Sequence, residues 1–147
     1  MNAIRIIVID DVNKLNKTIK EYVKDDISLK IIQEEKIEDK IIRILHELGI
    51  PSHIKGYQYM KEGIEMIYHT PSMMDKITKN LYPELAKKFH STTTRVERDI
   101  RHAIELGWTR ANWDYMEELF GYSIDSDKAK PTNREFITTI VDRINLE

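Results

Sequence analysis

From Ile37 onward the apolar residues of this chain recur at intervals of three and four, so most of it has to pack as amphipathic helices. Ile37, Ile41, Ile44, Leu45 and Leu48 share one face, and Gly49 with Pro51 ends that helix. Tyr57, Met60, Ile64, Ile67 and Tyr68 mark a second. Pro71 suits the first turn of a third, which carries Met74, Ile77 and Leu81. Pro83 opens a short fourth over residues 84–89. A long fifth follows the polar stretch 90–93 and runs to about Trp108, and a sixth covers residues 113–120. Residues 125–131 read as a loop. Thr132 and Glu135 then form a capping box for a closing helix with Phe136, Ile140 and Ile144 inward.

The opening segment obeys a different rule. Residues 4–9, Ile-Arg-Ile-Ile-Val-Ile, are β-branched almost throughout and read as a buried strand ending in Asp10-Asp11. Asn13 can start a helix with Leu15, Ile19, Tyr22 and Val23 on its apolar side, and residues 27–32 offer a second strand. Two strands and one helix cannot cover both faces of a parallel sheet. The expected fold is therefore mainly α: a βαβ remnant over 1–36, then a helical domain over 37–147.

With no cysteine, disulfides, thiolate zinc sites and thiol catalysis are excluded. The net charge of −2 excludes a uniformly basic nucleic-acid coat. The longest apolar runs are too short to span a bilayer, and a soluble, cytoplasmic protein is expected. No nucleophile stands beside a base and no glycine-rich phosphate loop occurs, so an enzyme is not expected. His46-Glu47 with His53 lacks the helical spacing of a zinc protease. Asp10 and Asp11 suit either a divalent cation or the charged start of a helix, and no other cofactor is expected.

Residues 85–102 carry the most information. Leu85, the small Ala86 and Phe89 end one helix, a few polar residues turn the chain, and Thr94 with Glu97 forms a capping box for the next. That is helix-turn-helix patterning. With Val96 at the centre of the apolar face, Arg101, Arg98, His102 and Arg95 fall between about 140° and 260° around the helix, on the opposite side. A charged helix face is ordinarily just solvated. The turn, the cap and the alanine together favour DNA, since arginine's fork matches guanine O6/N7 and Glu97 can accept from cytosine N4. Lys128, Lys130 and Arg134 form a second basic cluster, either a backbone grip or a solvated loop.

His46-Glu-Leu-Gly-Ile-Pro-Ser-His-Ile-Lys-Gly-Tyr57, Ala86-Lys-Lys-Phe89, Arg95-Val-Glu-Arg98, Ile100-Arg-His-Ala-Ile-Glu105 and Lys128-Ala-Lys-Pro-Thr-Asn133 strongly resemble the effector domain of the stage 0 sporulation protein A response regulators. The resemblance covers about residues 37–147. It implies a six-helix DNA-binding domain that reads a TGTCGAA-like box, with Glu97, Arg98 and Arg101 on bases. It also implies His46, Thr94, Arg95 and His102 as backbone or supporting contacts; Lys87, and the Lys128 and Lys130 of the second basic cluster, are expected beside them on phosphates, and a dimer on DNA is a further expectation. Phe120 and Ile124 fall in a segment resembling the surface that contacts RNA polymerase through its sigma subunit. Asp99 departs from the family's usual alanine, adding a carboxylate one turn from Arg95 and His102, and Ala111 replaces a glycine.

Residues 1–33 resemble the start of that family's receiver domain through Ile7-Val-Ile-Asp-Asp11, but the later strand bearing the phosphorylated aspartate has no counterpart before Ile37. The expected function is a phosphorylation-independent transcription regulator of the sporulation-initiation type. The alternative is an antagonist that dimerises with a full-length relative or binds RNA polymerase. Acetyl phosphate should accordingly leave no acid-labile phosphate on this chain and should not change its DNA affinity; an aspartyl phosphate detected by mass spectrometry overturns this.

Overall fold

Helix Ile37–Glu47 (α2) ends where Gly49 takes φ of 72°, a conformation that glycine enters without the Cβ penalty. The Gly49 amide donates to the His46 carbonyl at 2.9 Å and the Ile50 amide to Leu45 at 3.1 Å, the two bonds of a Schellman closure. The chain reverses there into helix Lys55–His69 (α3). Helices Tyr82–Lys88 (α4), Thr93–Arg110 (α5), Trp113–Phe120 (α6) and Asn133–Leu146 (α7) follow, and helix Val12–Tyr22 (α1) precedes them. This computed structural model describes residues 7–22, 35–110, 112–121 and 130–147, and the chain divides into two units, Met1–Glu34 and Glu35–Glu147. The described residues are mainly helical and contain no strand.

In the first unit, Asp11 starts α1: its Oδ1 accepts from the Asn13 amide at 2.7 Å and its carbonyl from Leu15 at 3.0 Å. Asp10 pairs with Lys14 at 3.0 Å, one turn on. Each carboxylate thus has a local partner at the helix start. Ile7–Ile9, expected in a buried strand, are irregular instead, and Val8 is 92% exposed. These residues make no ladder bond to another described segment, and an unpaired strand has nothing to hold it extended. Residues 4–6 and the second expected strand, 27–32, lie outside the described residues.

The second unit is built around α3, which packs against α2, α4, α5 and α7. Among the described residues its buried side chains are aliphatic or aromatic, with none charged, and include Ile44, Leu45, Met60, Ile64, Leu81, Leu85, Ile100, Ile104 and Phe136. Most were placed inward by spacing alone. Tyr68 was not placed correctly: at the last turn of α3 it is 38% exposed and sits edge-on to His69.

The expected third helix is also absent as such. After Thr70 the chain makes a 3₁₀ turn at Pro71–Met74, leaves helical geometry at Lys76, and makes a single π turn over Ile77–Leu81. The Tyr82 amide closes that turn on the Ile77 carbonyl and continues into α4, so Pro83 lies inside the first turn rather than opening the helix. The wider turn lets Ile77, Leu81 and Tyr82 all be buried. Among the described residues of this unit, six α-helices, with two short turns between α3 and α4, replace the seven segments that periodicity marks.

Arg43, Arg143, Glu118 and Glu147 tie α2, α6 and α7 together at the end of the chain. Arg43 reaches Glu147 at 2.6 Å and Glu35 at 3.2 Å, and Arg143 bridges Glu118 and Glu147. Partial burial raises the Glu147 pKa, but bonds and charge from Arg43 and then Arg143 outweigh it and hold the carboxyl below its ordinary value. A lowered folded pKa contributes stability above the unfolded value and loses it as pH falls through the folded one. Glu147→Gln should therefore cost about 0.5–1 kcal/mol at pH 7, as expected of a partly exposed pair. The difference should shrink in melts as the pH is lowered below the ordinary glutamate range and the carboxyl takes up its proton. A penalty unchanged by acid would show that the charge is not the cause.

Candidate nucleic-acid interface

Between α4 and α5 lie four residues, 89–92. Phe89 caps α4 and sets its ring edge-on to Tyr59 of α3, centroids 5.2 Å apart. His90 then takes φ of 51°, a left-handed conformation that costs a non-glycine residue about 1–2 kcal/mol. The Ser91 amide returns to the Ala86 carbonyl at 2.8 Å and completes the reversal. Thr92, not Thr94, caps α5: its Oγ1 accepts from the Arg95 amide at 3.2 Å and its carbonyl from Val96 at 2.9 Å. Because α4 closes on Ser91, Thr92 is the first hydroxyl placed to bond the free amides. Thr94 sits exposed within the first turn, and the Thr94–Glu97 pattern is a second match to the same motif two residues too late.

Val96, Ile100, Ala103, Ile104 and Gly107 bury one face of α5. Thr94, Arg95, Arg98, Arg101 and His102 are exposed, with Glu97 and Asp99 partly so, as the helical wheel requires. Arg101 Nη2 meets Glu97 Oε1 at 2.7 Å, one turn away. Arg98 lies over its neighbour Asp99, with Nε and Nη2 both 3.4 Å from Oδ1. Asp99 was expected beside Arg95 and His102, but its carboxylate turns to Arg98. Among the described residues Arg95 and His102 have no carboxylate partner.

Two features that fix α5 escaped the sequence reading. A Cβ on Gly56 of α3 would lie 2.1 Å from the Asp99 carbonyl and 2.7 Å from Ala103 Cβ, so the helices touch backbone to backbone beneath the cationic face. A glycine inside a helix is the available signal, since it costs about 1 kcal/mol against alanine and asks for a reason. The second feature is Asn133, at the start of α7. Its Nδ2 donates to the Glu97 carbonyl at 3.0 Å and to the Tyr82 hydroxyl at 3.2 Å, joining three helices. Burial raises the Tyr82 pKa and keeps its hydroxyl neutral.

The remaining candidates are spread around this helix. His46 is exposed in the last turn of α2, whose end abuts α5: a Cβ on Gly107 would sit 2.8 Å from the Leu48 carbonyl. Lys87 is exposed on α4, and Lys130 is exposed ahead of α7. The Phe120 ring packs against the buried Phe136, centroids 5.3 Å apart. Trp113 is 49% exposed and edge-on to Trp108. Ala111, Ile124 and Lys128 lie outside the described residues.

A helical unit that presents a cationic helix on a rigid three-helix support has the build of a DNA-binding effector domain. The chain belongs to the family described as sporulation initiation factor Spo0A C terminal, which matches residues 41–144. It is a family of DNA-binding regulatory domains, not of enzymes. Among the described residues no helix is long and apolar enough to cross a membrane.

Gly56→Ala should destabilise the domain by about 2 kcal/mol or more, since the clash with backbone outweighs the gain in helix propensity. Gly63→Ala, whose Cβ would meet only the side-chain ends of Leu85 and Leu81 at 3.3 Å and 3.4 Å, should cost less than about 1 kcal/mol. Denaturant titrations of both variants measure the difference. Equal effects would show that the α3–α5 contact yields without penalty.

Proposed function

We propose that this protein is a sequence-specific transcription regulator of the sporulation-initiation type, cytoplasmic and independent of phosphorylation, in which α5 reads a TGTCGAA-like box from the major groove. The observation that carries the reading is the outward row of Arg95, Arg98, Arg101 and His102 on a helix whose other face is buried. Arg98 and Arg101 take guanine edges, and Glu97 accepts from cytosine. Thr94, Arg95 and His102, with His46, Lys87, Lys128 and Lys130 around them, hold phosphates or orient the readers. Independence of phosphorylation rests on the sequence, where helical spacing sets in at Ile37 before any acceptor strand. No cofactor is needed for such a mechanism, and a dimer on paired boxes fits it.

The ion pairs on α5 do not stand against this reading. Both are exposed, and such pairs contribute about 0–1 kcal/mol. A bidentate arginine–guanine contact is worth about 1–3 kcal/mol of discrimination, enough to draw Arg98 and Arg101 from their carboxylates. The pairs keep the two side chains over the groove-facing surface until bases replace the partners.

A second reading, an antagonist that binds a full-length relative or the sigma subunit of RNA polymerase, is favoured by the half-exposed Trp113 beside Trp108 at the far end of α5. Duplex titrations at two salt concentrations separate the two. Arg98→Ala should cost about 1–3 kcal/mol on the matched box and relax discrimination at one base pair. Lys87→Ala should weaken every duplex alike and flatten the salt dependence. Asp99→Ala should tighten binding by freeing Arg98 and removing a charge that repels phosphate, with less gain at high salt. If Arg98→Ala weakened all duplexes equally, base reading by α5 would be wrong and the antagonist would stand.

A further inference from the structure

Beside the proposed reading helix lies a second cationic surface, of which the sequence marks only Arg134, grouped there with Lys128 and Lys130, and not Lys76 or Lys79. Lys76 and the π turn after it bring Lys76, Thr78 and Lys79 together with Arg134 of α7 around a shallow concavity, whose lining also includes the buried Ile77 and Tyr82. None of these six residues is acidic. Lys76, Lys79 and Arg134 are all exposed, and among the described residues none of them forms an ion pair. Arg134 is nevertheless held, because its Nη1 donates to the Asp75 carbonyl at 3.1 Å. A carbonyl partner orients the guanidinium without cancelling its charge. At the α2–α7 end, by contrast, Arg43 and Arg143 are both covered by glutamates.

The concavity is coupled to α5 through one side chain. Its Tyr82 hydroxyl accepts from Asn133 Nδ2, and the same nitrogen donates to the carbonyl of Glu97. The surface is therefore fixed relative to the Glu97–Arg101 stretch. A helix lying in a major groove about 12 Å wide has a sugar-phosphate strand close along each flank. Three uncompensated cations and a threonine hydroxyl in a shallow hollow match a phosphodiester, which is anionic and rich in acceptors.

We propose that Lys76, Lys79 and Arg134 form a backbone-phosphate seat that grips one DNA strand beside the box read by α5. This rests on the reading of the protein as a DNA binder. It makes the irregular segment between α3 and α4 part of the interface: the π turn that buries Ile77 and Leu81 also aims Lys79 outward. The seat contributes affinity and register, with no preference among bases.

The test is a salt titration of the full chain carrying Lys76→Gln and Lys79→Gln, on matched and mismatched duplexes, beside Arg98→Ala. Loss of two phosphate contacts should flatten the slope of log K against log salt by about 1.8, at about 0.9 for each cation on B-DNA. The loss should be equal on both duplexes, with the melting temperature unchanged. Lys76→Arg with Lys79→Arg, which keeps the charges, should keep the wild-type slope. An unchanged slope in the glutamine pair, while Arg98→Ala still loses discrimination, overturns the seat and leaves DNA reading intact. A flattened slope in the arginine pair also overturns it. Failure of the wild-type chain to bind any duplex overturns both.

Discussion

The contact between Gly56 and the backbone of α5 is the constraint on which the rest of the second unit depends. With no side chain at Gly56, α3 comes within reach of the Asp99 carbonyl and Ala103, closer than any larger residue permits. That approach sets the depth at which Val96, Ile100 and Ile104 sink into the core. It also determines how far Arg95, Arg98, Arg101 and His102 stand out from it. A second close approach, Gly107 on the Leu48 carbonyl, fixes the other end of α5 against the closure of α2. Two backbone contacts about eight residues apart, at Asp99 and Gly107, hold a helix against tilt as well as translation, since α-helical rise is about 1.5 Å per residue. Side chains proposed to meet bases need that rigidity more than they need any one hydrogen bond.

Charge is distributed to match. Arg43 and Arg143 are saturated by glutamates, and Lys61 and Lys88 pair with Glu38 and Glu62. On α5 the pairs are internal to the helix and exposed, hence weak and exchangeable. Near-neutral overall composition is thus compatible with a local cationic field, because the acids neutralise positive charge elsewhere. Glu97 and Asp99 are the exceptions on this face, and the proximity of their carboxylates to Arg101 and Arg98 gives both side chains a direct electrostatic consequence for the proposed reading.

The turn between α4 and α5 contains the one described residue other than glycine with positive φ, His90. Its conformation is retained because both neighbours are fixed: Phe89 by Tyr59, Ser91 by the Ala86 carbonyl. The stored strain is small beside the packing that enforces it. It is the kind of local compromise that appears where a turn must place two helices rather than satisfy its own preferences.

What the sequence determined by itself was the set of buried faces. Helical spacing depends only on residue type and the period of 3.6, so Ile41, Ile44, Met60, Ile64, Val96, Ile100, Phe136 and Ile140 were legible as core, and the cations of α5 as its outer side. The Thr132–Glu135 cap and the Gly49 stop were legible because they are local: each is a bond or a φ angle within a few residues. Tertiary structure alone decided the rest. Thr92 became the cap because α4 closes on Ser91. Residues 71–81 became two short turns because Ile77, Leu81 and Tyr82 all had to reach one core. Gly56, Asn133 and the Lys76–Lys79–Arg134 hollow matter only through partners 36 to 59 residues away. Helical periodicity describes which side of a segment is wet; it carries no information about which other segment lies against it, and that is where the spacing and aim of the reading helix are set.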